Sequence, residues 1–143
     1  MAVPDIVRAY VDAFCRGDLE AVRDTFEPEG TYEDPGTKEP VPGKRINEHF
    51  AEFFNGMPDI STETTGLDAI SEQVSVWRWI IRATQTNTFR GLPPSGRSIT
   101  VPGCEFIEVR SEKIHKIVGY YDRLTLLTQL GFVTTPPAGP VNA

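Results

Sequence analysis

The chain has little cysteine, no apolar run long enough to span a membrane, and no excess of positive charge. Cys15 and Cys104 are its two cysteines and form no CxxC pair. They therefore build no disulfide framework, and read as reduced, buried thiols of a cytoplasmic protein. Lys and Arg number 14 against 20 Asp and Glu, a net charge of −6. Nucleic acid and anionic membrane both need a basic footprint, so neither is expected as a partner. The opening Met1-Ala-Val-Pro-Asp5 has neither the cationic nor the apolar part of a signal peptide. Histidine is equally scarce. His49 and His115 stand far apart, outside any HxxxH or HxH array, so no metal centre is expected and each reads as structural or exposed. The segment Arg90-Gly-Leu-Pro-Pro-Ser-Gly-Arg97 joins two strands rather than a strand and a helix, which does not suit a nucleotide phosphate. No GxSxG or Cys/His nucleophile signature is present.

What remains is a chain of ordinary globular composition, long enough for one domain with a real core. We place that domain at residues 1–131, with residues 132–143, rich in Pro and Thr, as a flexible tail. Ile6, Val7, Tyr10, Val11 and Phe14 recur at helical spacing up to Gly17. Asp18 suits the cap of a second helix, and Ile46, His49, Phe50, Phe53 and Phe54 mark a third, closed by Gly56-Met57-Pro58. A short strand is expected over 30–34, and four more over 60–70, 73–89, 98–109 and 113–121. A short Leu-rich helix follows the last. Helices first and an antiparallel sheet after them make the fold class α+β, and the length of the 73–89 strand predicts a sheet curved around something.

Strand parity sorts the side chains. Trp77, Trp79, Ile81, Ala83, Gln85, Asn87 and Phe89 share one face, which starts aromatic and ends in two amides, as a pocket wall would. Val76, Arg78, Ile80 and Arg82 share the other, which suits another subunit or a packed helix. On the next strand Glu105 is a charge on the apolar face of Ile99, Val101 and Ile107, either a pocket group or a partner for Arg78 or Arg82. Asp34 ends Tyr32-Glu-Asp34-Pro and reads as a turn residue or a base. Asp122 ends the last strand on the side of Ile114, Val118 and Tyr120. It is either exposed there or held in an apolar pocket, where its pKa would rise.

Taken in order, Gly17-Asp-Leu, Tyr32-Glu-Asp34-Pro, Met57-Pro-Asp59, the Trp-rich strand, Leu92-Pro-Pro-Ser-Gly96-Arg, Tyr120-Tyr-Asp122 and Gln129-Leu-Gly131 resemble the SnoaL-like polyketide cyclases. These belong to the superfamily of nuclear transport factor 2, steroid delta-isomerase and limonene epoxide hydrolase. The resemblance covers residues 5–131 and implies a cone-shaped, mostly antiparallel sheet wrapped around a pocket. By position it makes Asp122 the acid/base of an intramolecular aldol closure, with Gln85 where the family carries a histidine. The first forty residues are also similar to bacterial steroid delta-isomerase. That places Tyr10 at its oxyanion tyrosine, Asp34 at its proton-shuttling aspartate, and Cys104 or, one residue on, Glu105 at its protonated acid. The implied activity is a cofactor-free cyclase or isomerase acting on an apolar, polyketide-like ketone, catalysed by Asp122, Asp34, Tyr10 and Gln85. Trp77, Trp79, Phe50, Phe54, Met57, Tyr32 and Asn87 would bind substrate beside Cys104 and Glu105. Epoxide opening, pericyclic closure, ketosteroid-type isomerisation and plain ligand binding are the alternatives. A homodimer through the sheet's other face is implied by the resemblance.

Overall fold

The computed structural model describes residues 1–134. Its elements run α1 (Asp5–Cys15), α2 (Leu19–Asp24), β1 (Phe26–Glu33), β2 (Val41–Pro42), a 3-10 turn (Gly43–Arg45), α3 (Ile46–Gly56), β3 (Ser61–Ala69), β4 (Val74–Thr84), β5 (Ser98–Arg110), β6 (Lys113–Tyr121) and α4 (Arg123–Gln129). The six strands form one curved sheet in the order β2-β1-β6-β5-β4-β3. Only β1 and β6 run parallel; every other pair is antiparallel. The fold is α+β, as the order of elements requires.

Helix α1 buries Val7, Tyr10, Val11 and Phe14 along one stripe, the spacing that the amphipathic pattern demands. It stops where Gly17 takes φ +72°, a left-handed turn that a Cβ would resist. The Asp18 side chain then accepts the Ala21 N–H at 3.1 Å and starts α2. Burial on β4 alternates as parity predicts: Trp77, Trp79, Ile81 and Ala83 face the core, while Arg78 and Arg82 lie outside with Asp68 and Glu63 as ion-pair partners. Salt bridges at that exposure contribute little to stability. On β5, Ile99, Val101, Glu105 and Ile107 are buried. The core is therefore the concave side of the sheet, closed by the N-terminal helices.

Four expectations are corrected. The cysteines expected to be buried are not: Cys15 is exposed and Cys104 is half-buried. The strand expected over 73–89 ends at Thr84, although the Gln85 backbone still bonds to Gly96 and Arg97 across from it. The first strand begins at Phe26 rather than Gly30. Phe132, expected in a mobile tail, packs against the core, and its N–H donates to the Leu127 carbonyl. The rest of that tail, residues 135–143, lies outside the described residues.

Candidate active site

A pocket opens on the concave side of the sheet with a free volume of about 50 Å³. Its walls are mainly apolar, supplied by Phe14, Phe50 and Phe53 from the helices and by Trp79, Ile81 and Val101 from the sheet. Glu105, Asp34, Tyr32, His49, Tyr121 and Arg90 supply the polar groups. This is the ordinary make-up of a small-molecule site, an apolar lining with a few convergent polar groups.

Two tyrosine–carboxyl pairs dominate it. The Tyr10 hydroxyl donates to Glu105 Oε1 at 2.7 Å, and the Tyr32 hydroxyl donates to Asp34 Oδ2 at 2.7 Å. Glu105 is 3 % exposed. Burial pushes its carboxyl up to about 8, with the neighbouring Asp34 charge adding to the rise and the Tyr10 hydrogen bond opposing it. At neutral pH it is thus largely an un-ionised acid. With Oε1 taken by Tyr10, its own O–H is the donor left for a ligand. The alternative role weighed for Glu105, a partner for Arg78 or Arg82, is ruled out because those side chains lie on the opposite face of the sheet.

Asp34 is held by its own turn. Gly36 N–H donates to Oδ1 at 2.7 Å, the Asp34 N–H donates to Thr37 Oγ1 at 3.1 Å, and Thr37 N–H donates to the Asp34 carbonyl. Gly119 on β6 leaves open the space between the two carboxyls. A Cβ there would lie 3.4 Å from Asp34 Cβ, 3.4 Å from the Tyr32 hydroxyl and 3.5 Å from Glu105 Cγ. The side-chain stems of both acids and the Tyr32 phenol thus meet at one glycine.

Other assignments change. Asp122 is exposed and caps α4: its Oδ1 accepts the Thr125 N–H at 3.1 Å and its Oδ2 the Thr125 hydroxyl at 2.8 Å. Those bonds hold its carboxyl below the usual aspartate range, opposite to a pocket acid. The cause is a register shift between β5 and β6. Val109 pairs with Ile114 but Glu108 with Lys116, so one extra residue reverses parity along β6. Ile117, Gly119 and Tyr121 then face inward, and Tyr120 and Asp122 outward. Gln85 is buried, but its amide donates to the Leu92 and Pro93 carbonyls and accepts the Ser95 N–H. It ties a loop rather than facing the pocket. Tyr10, Trp77 and Met57 are fully buried behind the lining rather than in it, and the Trp77 N–H is spent on Thr64. Phe54 packs on Phe14, Asn87 is exposed against the Asn55 carbonyl, and Cys104 lies on the outer face beside Arg78 and Tyr120. Asp34, Glu105, Tyr32, Trp79 and Phe50 remain in the pocket wall.

Three polar lining residues were not foreseen as site groups. His49 stands on the apolar stripe of α3 with Ile46, Phe50 and Phe53, and a histidine on a core-facing stripe is itself a signal. His115, by contrast, pairs with Glu27 of β1. Tyr121 was hidden by the parity reversal. Arg90 sits in a loop with φ +47°, beyond any pattern of periodicity.

The sequence profile of the SnoaL-like polyketide cyclases matches residues 4–130. No functionally curated protein matches. Among solved structures, AclR from Streptomyces galilaeus, a candidate hydroxylase, superposes with a TM-score of 0.78 at 20% identity, covering 92% of this chain and 86% of its own. IdmH from Streptomyces antibioticus, a candidate polyketide cyclase, gives 0.73 at 24%, covering 89% and 96%. A Catenulispora acidiphila protein with a ketosteroid isomerase-like fold gives 0.75 at 20%, covering 94% and 100%. These likenesses establish the fold.

Proposed function

This chain belongs to the SnoaL-like polyketide cyclase family, and on that premise we propose that it is a cofactor-free cyclase or isomerase of a polyketide-like ketone, with Asp34 as base and Glu105 as acid. The carrying observation is that Glu105, buried and bonded through Oε1 to Tyr10, lines the same pocket as Asp34. A carboxyl raised by burial beside a second carboxyl is a pair in which one can give a proton while the other takes one.

The steps follow from the geometry. A ketone oxygen accepts the Glu105 O–H, which raises the acidity of the adjacent C–H. Asp34 removes that proton, and the enolate oxygen stays hydrogen-bonded to Glu105, whose other oxygen is held by Tyr10. The enolate carbon then attacks a second carbonyl of the same chain, and the new alkoxide takes the proton from Asp34. Nothing is oxidised and no water is consumed. A positioned base contributes roughly 10²–10⁴-fold and an oxyanion donor roughly 10²–10³-fold. Water is kept out by Phe14, Phe50 and Trp79. The Trp79 indole N–H is buried without a partner among the described residues.

The test is deuterium exchange at the carbon next to the carbonyl of a small cyclic ketone, followed by NMR. Wild type should catalyse it and Asp34→Asn should lose about 10²–10⁴-fold of the rate. Equal rates in the two proteins would end the proposal.

A further inference from the structure

We propose that His49 is a second substrate-orienting donor, presenting its Nδ1–H to another oxygen of the ligand, and that Arg90 is the positioning residue that sets this tautomer. The inference rests on the acid/base reading above and adds a second recognition point to the same pocket.

An arginine can only donate. Arg90 Nη2 lies 3.2 Å from His49 Nε2, so Nε2 must be the unprotonated, accepting nitrogen. A neutral imidazole then carries its proton on Nδ1. Neutrality is imposed by the surroundings: burial and the Arg90 cation both push the ring below its ordinary pKa, against weaker opposition from Asp34 and Glu52. The ring is also fixed in space, with Tyr32 and Phe50 packed on it at centroid distances of 5.4 and 5.5 Å.

Arg90 is itself held. Its Nε donates to Glu52 Oε2 at 3.2 Å, and its side chain is 23 % exposed. Its other arm lies beside Gly36 in the Asp34 turn, next to the Tyr121 hydroxyl. A Cβ on Gly36 would lie 2.6 Å from Arg90 Nη1, 3.0 Å from the Tyr121 hydroxyl and 3.2 Å from Asp34 Oδ1. One guanidinium therefore spans α3, the Asp34 turn and the end of β6. Arg90 itself holds a left-handed backbone, at φ +47°. The matching ligand carries two oxygens, one for Glu105 and one for His49.

The tautomer is read without a substrate, from the imidazole nitrogen shifts in long-range 1H–15N NMR of the full chain. Wild type should show a protonated Nδ1 at pH 7.5. Arg90→Ala should move population towards the Nε2–H form that free imidazole side chains prefer, and Arg90→Lys, which can still donate, should restore Nδ1–H. Binding is read by titrating phenol, an enolate mimic, against the three dihydroxybenzenes, whose second oxygen lies at three distances from the first. At least one should bind wild type roughly two- to tenfold more tightly than phenol. His49→Phe should abolish that gain, so that phenol and the dihydroxybenzenes bind the variant alike, and His49→Gln, which keeps a donor, should retain part of it. A protonated Nε2 in wild type overturns the proposal, as does a gain that survives His49→Phe. Phenol binding without any gain removes the His49 subsite alone. Failure of phenol itself to bind removes the acid/base pocket and the subsite together.

Discussion

Glu105 and Asp34 differ in what surrounds them, and that difference decides their roles. Glu105 has one hydroxyl and an apolar wall; Asp34 has a phenol and a backbone N–H from a tight turn. Tyr10→Phe removes the bond that lowers the Glu105 pKa, so Glu105 should ionise at a higher pH than in wild type. Carbon-13 NMR of the Glu105 carboxyl would show the displacement, and a lower ionisation pH would contradict the assigned hydrogen bond. Asp122 stands at the opposite extreme, exposed and engaged only with Thr125. Asp122→Asn should leave ketone exchange at the wild-type rate, because Asn also caps helices. A drop matching that of Asp34→Asn would return Asp122 to the site.

Among the elements, the segment between β4 and β5 carries the clearest prediction. Gln85 is fully buried and meets three backbone groups of the 92–95 stretch, so it closes the loop on which Phe89 and Arg90 ride. Gln85→Ala leaves those groups unpaired, at a cost of about 1–3 kcal/mol. The loop should become open to limited proteolysis near Arg90, and ketone exchange should weaken in apparent KM more than in kcat. Resistance equal to wild type would assign the loop's order to other contacts. The elements themselves were largely legible: the stripe of α1, the alternation of β4 and the cap at Asp18 follow from local spacing. Parity along β6 was not. Ile114, Val118 and Tyr120 look like one face until the extra residue between paired positions is known, and that slip belongs to the β5–β6 ladder rather than to β6 alone.

For the whole molecule, an acid kept neutral by burial ties folding to pH. The Glu105 carboxyl ionises near 8 when folded and near its ordinary value when unfolded. Between those values the folded state holds the extra proton, so this group's contribution to stability falls as pH rises from about 4.5 to 8 and levels off above that. Its size is on the order of a few kcal/mol. Glu105→Gln keeps the shape and loses the ionisation. Its Tm should therefore be flatter over this range and should exceed wild type at pH 8 to 9 by calorimetry. Parallel Tm curves for the two proteins would place Glu105 in contact with solvent. The outer sheet face is a separate matter. Phe106 and Tyr120 stand exposed there with their rings edge to face at 5.9 Å, and we propose that a second copy covers them. Sedimentation should give a dimer for wild type and a monomer for Phe106→Glu with Tyr120→Glu. A wild-type monomer would end that proposal.

The amino-acid sequence by itself determined the α+β order, the apolar face of β4 and the candidate carboxyls Asp34, Glu105 and Asp122. These depend on periodicity and short-range turn chemistry, which neighbouring residues set. Only the tertiary structure decided which acid enters the pocket. Burial of Glu105, the outward turn of Asp122, and the meeting of His49 with Arg90 across 41 positions all depend on register between strands and on distant chain segments brought together, and no local pattern records either.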